Sequence, residues 1–156
     1  MSSAVQCSLS VLELPGRAEA EAALRAAQEG CRPCFAAVLV AGGLLAAGER
    51  FGYRQADGLL LAYGRHWMGA LGSGSRLYRW SGTAFLAILE RDNPLEDVAA
   101  EVSRRAENLL IGWVDCSGNR MPVVIGTQAG VVRLDDGKAG AGLIRSMDYF
   151  VATSVS

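Results

Sequence analysis

The sequence lacks an excess of either charge and contains no block of like-charged residues. Fifteen Lys and Arg residues are balanced by 16 Asp and Glu residues, which leaves a formal net charge of −1. Proteins that bind nucleic acid through its phosphates usually carry a clustered basic surface. The charge pattern therefore predicts a protein with no nucleic-acid partner.

Long apolar runs are also missing. The longest, from Cys34 to Ala47, is interrupted by Gly42 and Gly43, whereas a membrane-spanning helix needs about 20 apolar residues. No basic and then apolar leader opens the chain. These absences predict a protein that does not insert into a membrane and that works in the cytoplasm.

Cysteine and histidine are scarce, with four cysteines and one histidine, His66. The stretch Cys31-Arg32-Pro33-Cys34 has the spacing of redox and zinc motifs. A thioredoxin-type pair follows a strand and opens a helix, but here a predicted helix precedes the pair and a predicted strand follows it. Zinc would need two further ligands. We interpret the cysteines as incidental and His66 as a surface histidine, and we predict no metal and no cofactor.

The 156 residues do contain an alternation of helical and strand patterns. Apolar residues recur at helical spacing, and short apolar runs rich in branched residues indicate strands. Asn93 and Pro94 form a typical helix start, with Asn93 as the cap. We predict helices over Arg17–Glu29, Arg54–Leu71, Pro94–Leu110 and Ala139–Asp148, and strands over Phe35–Ala41, Ile111–Val114 and Met121–Val132.

A β-hairpin is predicted in the centre of the chain, over Leu77–Leu89. Two short aromatic and branched runs flank Ser81 and Gly82, and a glycine with positive φ suits a two-residue hairpin turn. Helices between strands, together with an antiparallel hairpin, predict an α+β domain with one central sheet.

The hairpin carries a resemblance to a known family. Arg79 is followed by one apolar residue, by the tip Ser81-Gly82-Thr83-Ala84-Phe85 and by an apolar strand. This layout resembles the signature of the GGDEF family, the diguanylate cyclases. Leu14-Pro15-Gly16-Arg17, Phe51–Asp57 and Leu143–Asp148 resemble three further segments of that family in the same order.

The resemblance covers residues 12 to 150, nearly the whole chain. It implies a ferredoxin-like, mostly antiparallel central sheet with flanking helices. We therefore expect residues 1–11 to be an N-terminal extension and residues 12–156 to form one GGDEF-like domain.

The same resemblance implies a site that has lost its acidic residues. Val40 stands where the family has an aspartate at the end of the first strand, and Thr83 and Ala84 stand at the two acidic positions of the signature. The family's chemistry needs divalent ions held by hard oxygen ligands, which valine and alanine cannot supply. The resemblance thus implies a degenerate, catalytically inactive domain with no metal ligands.

Two positions of the family's substrate site are retained. Asp57 matches an aspartate that reads the guanine base, although an acid in the first helical turn is also favoured by the helix dipole. Gly82 matches the signature glycine, although a turn favours glycine in any case. The base-reading asparagine is replaced by Gly48, and the inhibitory Arg-x-x-Asp positions fall at Gly72 and Ser75.

Three classes of function compete. The first, which we favour, is a regulatory or protein-interaction role in bacterial cyclic di-GMP-type signalling, through a protein partner, a neighbouring domain of a longer chain or a homodimer. The alternative is a guanine-nucleotide sensor without turnover. The third is a working enzyme, and the loss of acids at Val40, Thr83 and Ala84 argues against it. Because apolar side chains replace carboxylates beside the hairpin, we expect the groove there to be at least partly closed.

Overall fold

A computed structural model describes residues 14–30, 32–42, 53–106, 109–114, 120–134 and 140–154. Only the backbone is described for 53–57, 109–114, 120–124 and 140–141. In chain order the helices and strands are α1 (Arg17–Glu29), β1 (Cys34–Ala41), α2 (Tyr53–Leu71), β2 (Ser75–Arg79), β3 (Ala84–Glu90), α3 (Leu95–Ala106), β4 (Leu109–Val114), β5 (Arg120–Ile125), β6 (Thr127–Arg133) and α4 (Gly140–Ser154).

The main sheet has four strands in the order β2-β3-β1-β6, and every neighbouring pair is antiparallel. Strands β4 and β5 form a separate two-stranded antiparallel sheet. The prediction of an α+β fold with a central antiparallel sheet and flanking helices is confirmed.

Strand β1 is buried along its whole length because helices cover both faces of the sheet. Alternate residues of a strand point to opposite faces, and Phe35, Ala37 and Leu39 belong to one apolar cluster while Ala36 and Val38 belong to another. A central strand between two helical layers is therefore apolar at every position.

Each helical layer buries its own apolar stripe. Helices α2 and α3 cover one face, where Tyr63 and Trp67 are among the largest fully buried side chains. Helices α1 and α4 cover the other face through residues such as Leu24, Leu143 and Met147. The hairpin strands β2 and β3 lie between these two helical layers, so their side chains pack against helices on both faces.

Helix α3 differs from the prediction at both ends. The Pro94 carbonyl accepts hydrogen bonds from the amides of Asp97 and Val98, at 3.0 and 3.1 Å, so Pro94 precedes the first turn instead of opening it. The helix ends at Ala106, and Leu109 begins strand β4. The apolar spacing that predicted a helix through Leu110 is compatible with a buried strand, because short apolar runs fit both structures.

The predicted bounds of the last strand and the last helix also differ from the structure. The segment predicted as one strand from Met121 to Val132 is divided at Gly126 into β5 and β6, which belong to different sheets. Helix α4 continues to Ser154, six residues beyond the predicted end at Asp148. Within the described residues, no helix is long and apolar enough to span a membrane.

Candidate functional site

The hairpin tip, defined here as Trp80–Thr83, is longer than the predicted two-residue turn. The last paired residues are Arg79 and Phe85, and the Ala84 carbonyl accepts hydrogen bonds from the amides of Trp80 (3.0 Å) and Ser81 (3.2 Å). The reversal is therefore spread over several residues, none of which must take the left-handed conformation of a tight turn.

Gly82 does not have the positive φ that was predicted for it. The described glycines with positive φ are Gly72 (68°) and Gly74 (79°), which lie before β2. A Cβ atom at Gly82 would meet no atom within 4 Å. The local prediction of a glycine-dependent turn at Gly82 is wrong, and the glycine requirement lies at the other end of the hairpin.

The end of β1 is held by neighbours on both sides. The Ala41 amide donates to the Thr83 carbonyl at 2.9 Å, and the Gly42 amide donates to the Gly126 carbonyl at 2.7 Å. A Cβ atom at Gly42 would lie 3.2 Å from that carbonyl oxygen, so the close approach favours glycine. The backbone at the end of β1 is thus bonded to the hairpin tip and to the β5–β6 connection.

Val40 and Ala84 lie directly opposite each other on β1 and β3. Their side chains share a face of the sheet and belong to the apolar cluster beneath α1 and α4. Val40 is 1% exposed and Ala84 is fully buried. At these two of the three positions where the resemblance places carboxylates, the structure has packed apolar side chains. Residues 43–52, which follow β1, lie outside the described residues, so the expected closure of the groove stays a prediction.

These residues do not fit a divalent ion. Mg²⁺ is bound by carboxylate, carbonyl and water oxygens in near-octahedral geometry, and neither Val40 nor Ala84 carries a side-chain oxygen. In the described ranges, no group of three or more His, Cys, Asp or Glu side chains could hold a metal ion. Thr83, which is half-buried, offers only a neutral hydroxyl.

Arg79 lies at the end of β2 on the opposite face of the hairpin from Val40 and Ala84. Its guanidinium is 5.7 Å from the centre of the Phe85 ring, at the outer range of a cation–π contact. Its Nε atom is buried and has no hydrogen-bond partner among the described residues. Its amide donates to the Pro15 carbonyl at 2.8 Å, which ties the hairpin to the segment before α1.

A charged cluster on the other face was not anticipated from the sequence. Arg17, at the start of α1, donates two hydrogen bonds to the Asp148 carboxylate, at 3.0 and 2.7 Å. The Trp80 indole N–H donates to the same carboxylate at 3.0 Å. Trp80 is buried.

The charge of Arg17 is fully engaged in this cluster. Its guanidinium lies 4.0 Å from the centre of the Trp80 ring, and its Nε donates to Glu21 at 2.9 Å. The hydrogen bonds to Asp148 raise the pKa of the Arg17 guanidinium, partial burial lowers it, and Glu21 raises it further. Arg17 and Asp148 both come from segments that resemble the family, and that shared origin was the one sequence signal for their contact.

The remaining predicted site residues are spread over the fold. Asp57 lies on α2, which covers the face of the sheet opposite Val40 and Ala84, and its side chain is outside the described atoms. Gly48 also lies outside the described residues. At the positions where the resemblance places the Arg-x-x-Asp motif, the Ser75 hydroxyl donates to the Gly72 carbonyl, so this loop is closed by a local hydrogen bond.

The histidine and the cysteine pair are the other residues whose side chains could carry chemistry. His66 is partly exposed, and its Nε2 lies 3.3 Å from the Arg105 carbonyl at the end of α3. Cys34 is a buried cysteine at the start of β1. Cys31 lies outside the described residues, so the predicted absence of chemistry at the Cys31–Cys34 pair stays a prediction.

Several solved structures have a fold similar to that of this chain. The FimX GGDEF domain from Pseudomonas aeruginosa is 21% identical to this chain with a TM-score of 0.74, over 92% of this chain and 89% of that one. The coiled coil and GGDEF domain of DgcB from Caulobacter crescentus, solved with c-di-GMP, is 18% identical with a TM-score of 0.71, over 97% and 83% of the two chains.

A third similar structure contains a protein partner. Diguanylate cyclase SiaD from Pseudomonas aeruginosa, solved in complex with its activator SiaC, is 19% identical with a TM-score of 0.75, over 90% of this chain and 54% of that one. No protein-family model and no curated protein matches this chain. At these identities the similarity establishes the fold, which is that of GGDEF domains.

Proposed function

We propose that this chain, which has the GGDEF fold, is a non-catalytic domain that acts through protein contacts in cyclic di-GMP-type signalling. Its partner is a protein or a neighbouring domain of a longer chain, or a second copy of the domain. Residues 12–156 form the domain and residues 1–11 extend it. The proposed place of action is the cytoplasm.

The buried pair formed by Val40 and Ala84 carries this proposal. A cyclase must hold two divalent ions beside the reacting hydroxyl and phosphates, and those ions need carboxylate ligands. Here the two positions are 1% and 0% exposed and lie inside an apolar cluster. A metal-bound triphosphate would have to displace these packed side chains, and neither Val40 nor Ala84 offers a side-chain oxygen ligand in exchange.

The charges around the hairpin also argue against triphosphate binding. Arg17 stacks on Trp80 of the hairpin tip, and its guanidinium is already paired with Asp148 and Glu21. The described cation that adjoins the tip in sequence is Arg79, at the end of β2. A phosphate would have to compete with two carboxylates for Arg17. The electrostatics therefore support a role that does not require nucleotide turnover.

Similar structures support a role for protein contacts. SiaD was solved with an activator protein, and the DgcB structure includes a coiled coil attached to the GGDEF domain. The fold thus occurs both with a separate protein partner and beside an attached segment. By analogy, we propose the same mode of action for this chain.

The turnover assay tests the absence of catalysis. Purified protein is incubated with GTP and Mg²⁺ or Mn²⁺, and cyclic di-GMP is measured by mass spectrometry beside an active cyclase. We expect no product above the level given by a control in which Ser81, Gly82 and Thr83 are replaced by alanine. Product from the wild-type chain that disappears in this control would overturn the proposal.

A second candidate function is a guanine-nucleotide sensor that binds GTP without turnover. Arg79 favours it, because its Nε atom is buried and has no partner within the described part of the chain. Gly82 has open space above it, and Asp57 is retained on α2. Micromolar binding of GTP that is lost in both Arg79→Gln and Asp57→Asn, with no product formed, would favour this sensor over the contact-based role.

A further inference from the structure

The segment that leads into α1 is attached to the hairpin by its backbone. This leading segment, Leu14–Gly16, passes the end of β2, and the Pro15 carbonyl accepts a hydrogen bond from the Arg79 amide at 2.8 Å. The bond lies immediately before the hairpin tip. A movement of the leading segment therefore acts on the backbone at the base of the tip.

The side chain of Arg17 makes the second attachment, one residue after the leading segment. Its planar guanidinium lies 4.0 Å from the centre of the Trp80 ring and forms a two-pronged bond with Asp148. Arginine can stack and pair in this way at the same time because its charge is spread over a flat group. One side chain thus contacts both the hairpin tip and helix α4.

Trp80 completes a closed triangle. Its indole N–H donates to Asp148 Oδ1, the same oxygen that accepts from Arg17 Nη1. Each of the three residues therefore contacts the other two, although they come from α1, the hairpin tip and α4. Replacing any one of the three residues removes two of the three contacts.

We propose that Arg17, Trp80 and Asp148 form a latch that couples the position of the leading segment to the order of the hairpin tip. With the latch closed, the tip is held against α4. When the leading segment is displaced, Arg17 leaves the Trp80 ring and the tip opens locally while the sheet stays intact. A signal that reaches the domain through residues before α1 would in this way change the surface offered by the tip.

The magnitude of the coupling follows from the exposure of the latch. The side chains of Arg17 and Asp148 are 40% and 46% exposed, so their ion pair alone contributes little. The stacking on buried Trp80 and the indole hydrogen bond are shielded from solvent on one side and carry most of the effect. We expect a coupling at the low end of the usual range, about fivefold in a local opening equilibrium.

Hydrogen exchange measured amide by amide by NMR tests the latch. The reporters are the amides of Arg79 and Trp80, which are bonded to Pro15 and Ala84, and the references are the amides in the interior of β3. We expect Arg17→Gln to accelerate exchange of the reporters about fivefold and to leave the references within the spread of replicate measurements.

The coupling must also act in the opposite direction, because thermodynamic coupling is reciprocal. Trp80→Phe keeps an aromatic ring but removes the N–H donor, and it serves if Arg17→Gln does not fold. We expect it to accelerate exchange of the Ala20 amide, which donates to the Gly16 carbonyl at 3.0 Å. Exchange of Ala20 at the wild-type rate would contradict the latch.

Arg32→Ala is the matched control, because it removes another arginine–carboxylate pair, that between Arg32 and Glu90 at the far end of β3. We expect it to leave the reporters unchanged. The latch is refuted if Arg17→Gln leaves the reporters at the wild-type rate, or if it accelerates reporters and references by the same factor. The latch requires no nucleotide chemistry, so its failure is distinguishable from a failure of the proposed function.

Discussion

Placing a carboxylate at the end of β1 is the most informative perturbation of this domain. Val40→Asp introduces the kind of side chain that the resemblance places at this position. Val40 lies opposite Ala84 inside an apolar cluster and is 1% exposed. In an open metal site the carboxylate would reach solvent, whereas in the closed arrangement it is buried without a partner.

The expected loss of stability has two parts. The neutral acid forfeits the burial of the valine side chain, about 1.5 kcal/mol or more, and leaves an unsatisfied polar group at about 1–3 kcal/mol. Ionisation adds the second part, because burial raises the pKa of a carboxyl by about 3 units or more at about 1.4 kcal/mol per unit. We expect a deficit of about 3–4 kcal/mol in acid and about 4 kcal/mol more at alkaline pH.

The sign of the pH dependence follows from the raised pKa. The carboxyl is neutral in both states below its unfolded pKa of about 3.9, so the deficit is smallest there. As the pH rises from that value to the higher pKa of the folded state, the unfolded chain ionises first and the deficit grows. Above the folded pKa the deficit is constant.

Urea unfolding at several pH values measures this deficit against the wild-type chain. Val40→Asn is the matched control, because the amide has nearly the same shape and does not titrate, so its deficit should not change with pH. A deficit for Val40→Asp below about 0.5 kcal/mol, the usual range for an exposed substitution, would refute the closed arrangement. So would a deficit that is independent of pH.

Three further predictions test the packing around the site. Gly82→Ala should change the free energy of unfolding by less than about 0.5 kcal/mol, since Gly82 has neither a positive φ nor a close neighbour; a loss above about 1.5 kcal/mol, as expected of a strained turn, would contradict this. Gly130→Val should cost about 1–3 kcal/mol in urea unfolding, because a Cβ atom there already lies 3.4 Å from the Phe150 ring, and Phe150→Leu should restore part of the loss. Glu101→Gln should lower the free energy of unfolding by about 1–3 kcal/mol at neutral pH, because a hydrogen bond from Arg91 lowers the pKa of the Glu101 carboxyl. This difference should disappear as the pH falls through that lowered pKa, where the wild-type carboxylate becomes protonated. A difference that persists in acid would contradict the prediction.

Periodic apolar patterns predicted the scaffold of this fold. Helix α1 has the predicted bounds, and β1 begins one residue before the predicted start. Helix α1 repeats its apolar residues at helical spacing, whereas β1 is a short, continuous apolar run with branched residues, as is typical of a buried strand. Leu109 was assigned to the wrong element because a short apolar run ending a helix cannot be distinguished from one beginning a strand.

The site was less predictable because its geometry depends on distant parts of the chain. Arg17 and Asp148 are 131 residues apart, and no local pattern indicates that they meet at Trp80. At Gly82 the sequence suggested a tight turn, but the registers of β2 and β3 leave a longer tip whose shape is set by pairing. The sequence alone showed that Val40 and Ala84 stand where the resemblance places carboxylates, whereas their burial could be seen only from the packing of the sheet against α1 and α4.

A calorimetric titration of the protein with GTP in the presence of Mg²⁺ tests the central claim most directly. The claim is that the end of β1 and the start of β3 are closed by Val40 and Ala84 and offer no place for a metal-bound triphosphate. We predict no saturable heat of binding at GTP concentrations up to about 1 mM, which corresponds to a binding free energy weaker than about −4 kcal/mol. Stoichiometric binding with micromolar affinity, abolished by Val40→Phe, would contradict the account and show that this position lines an open nucleotide site.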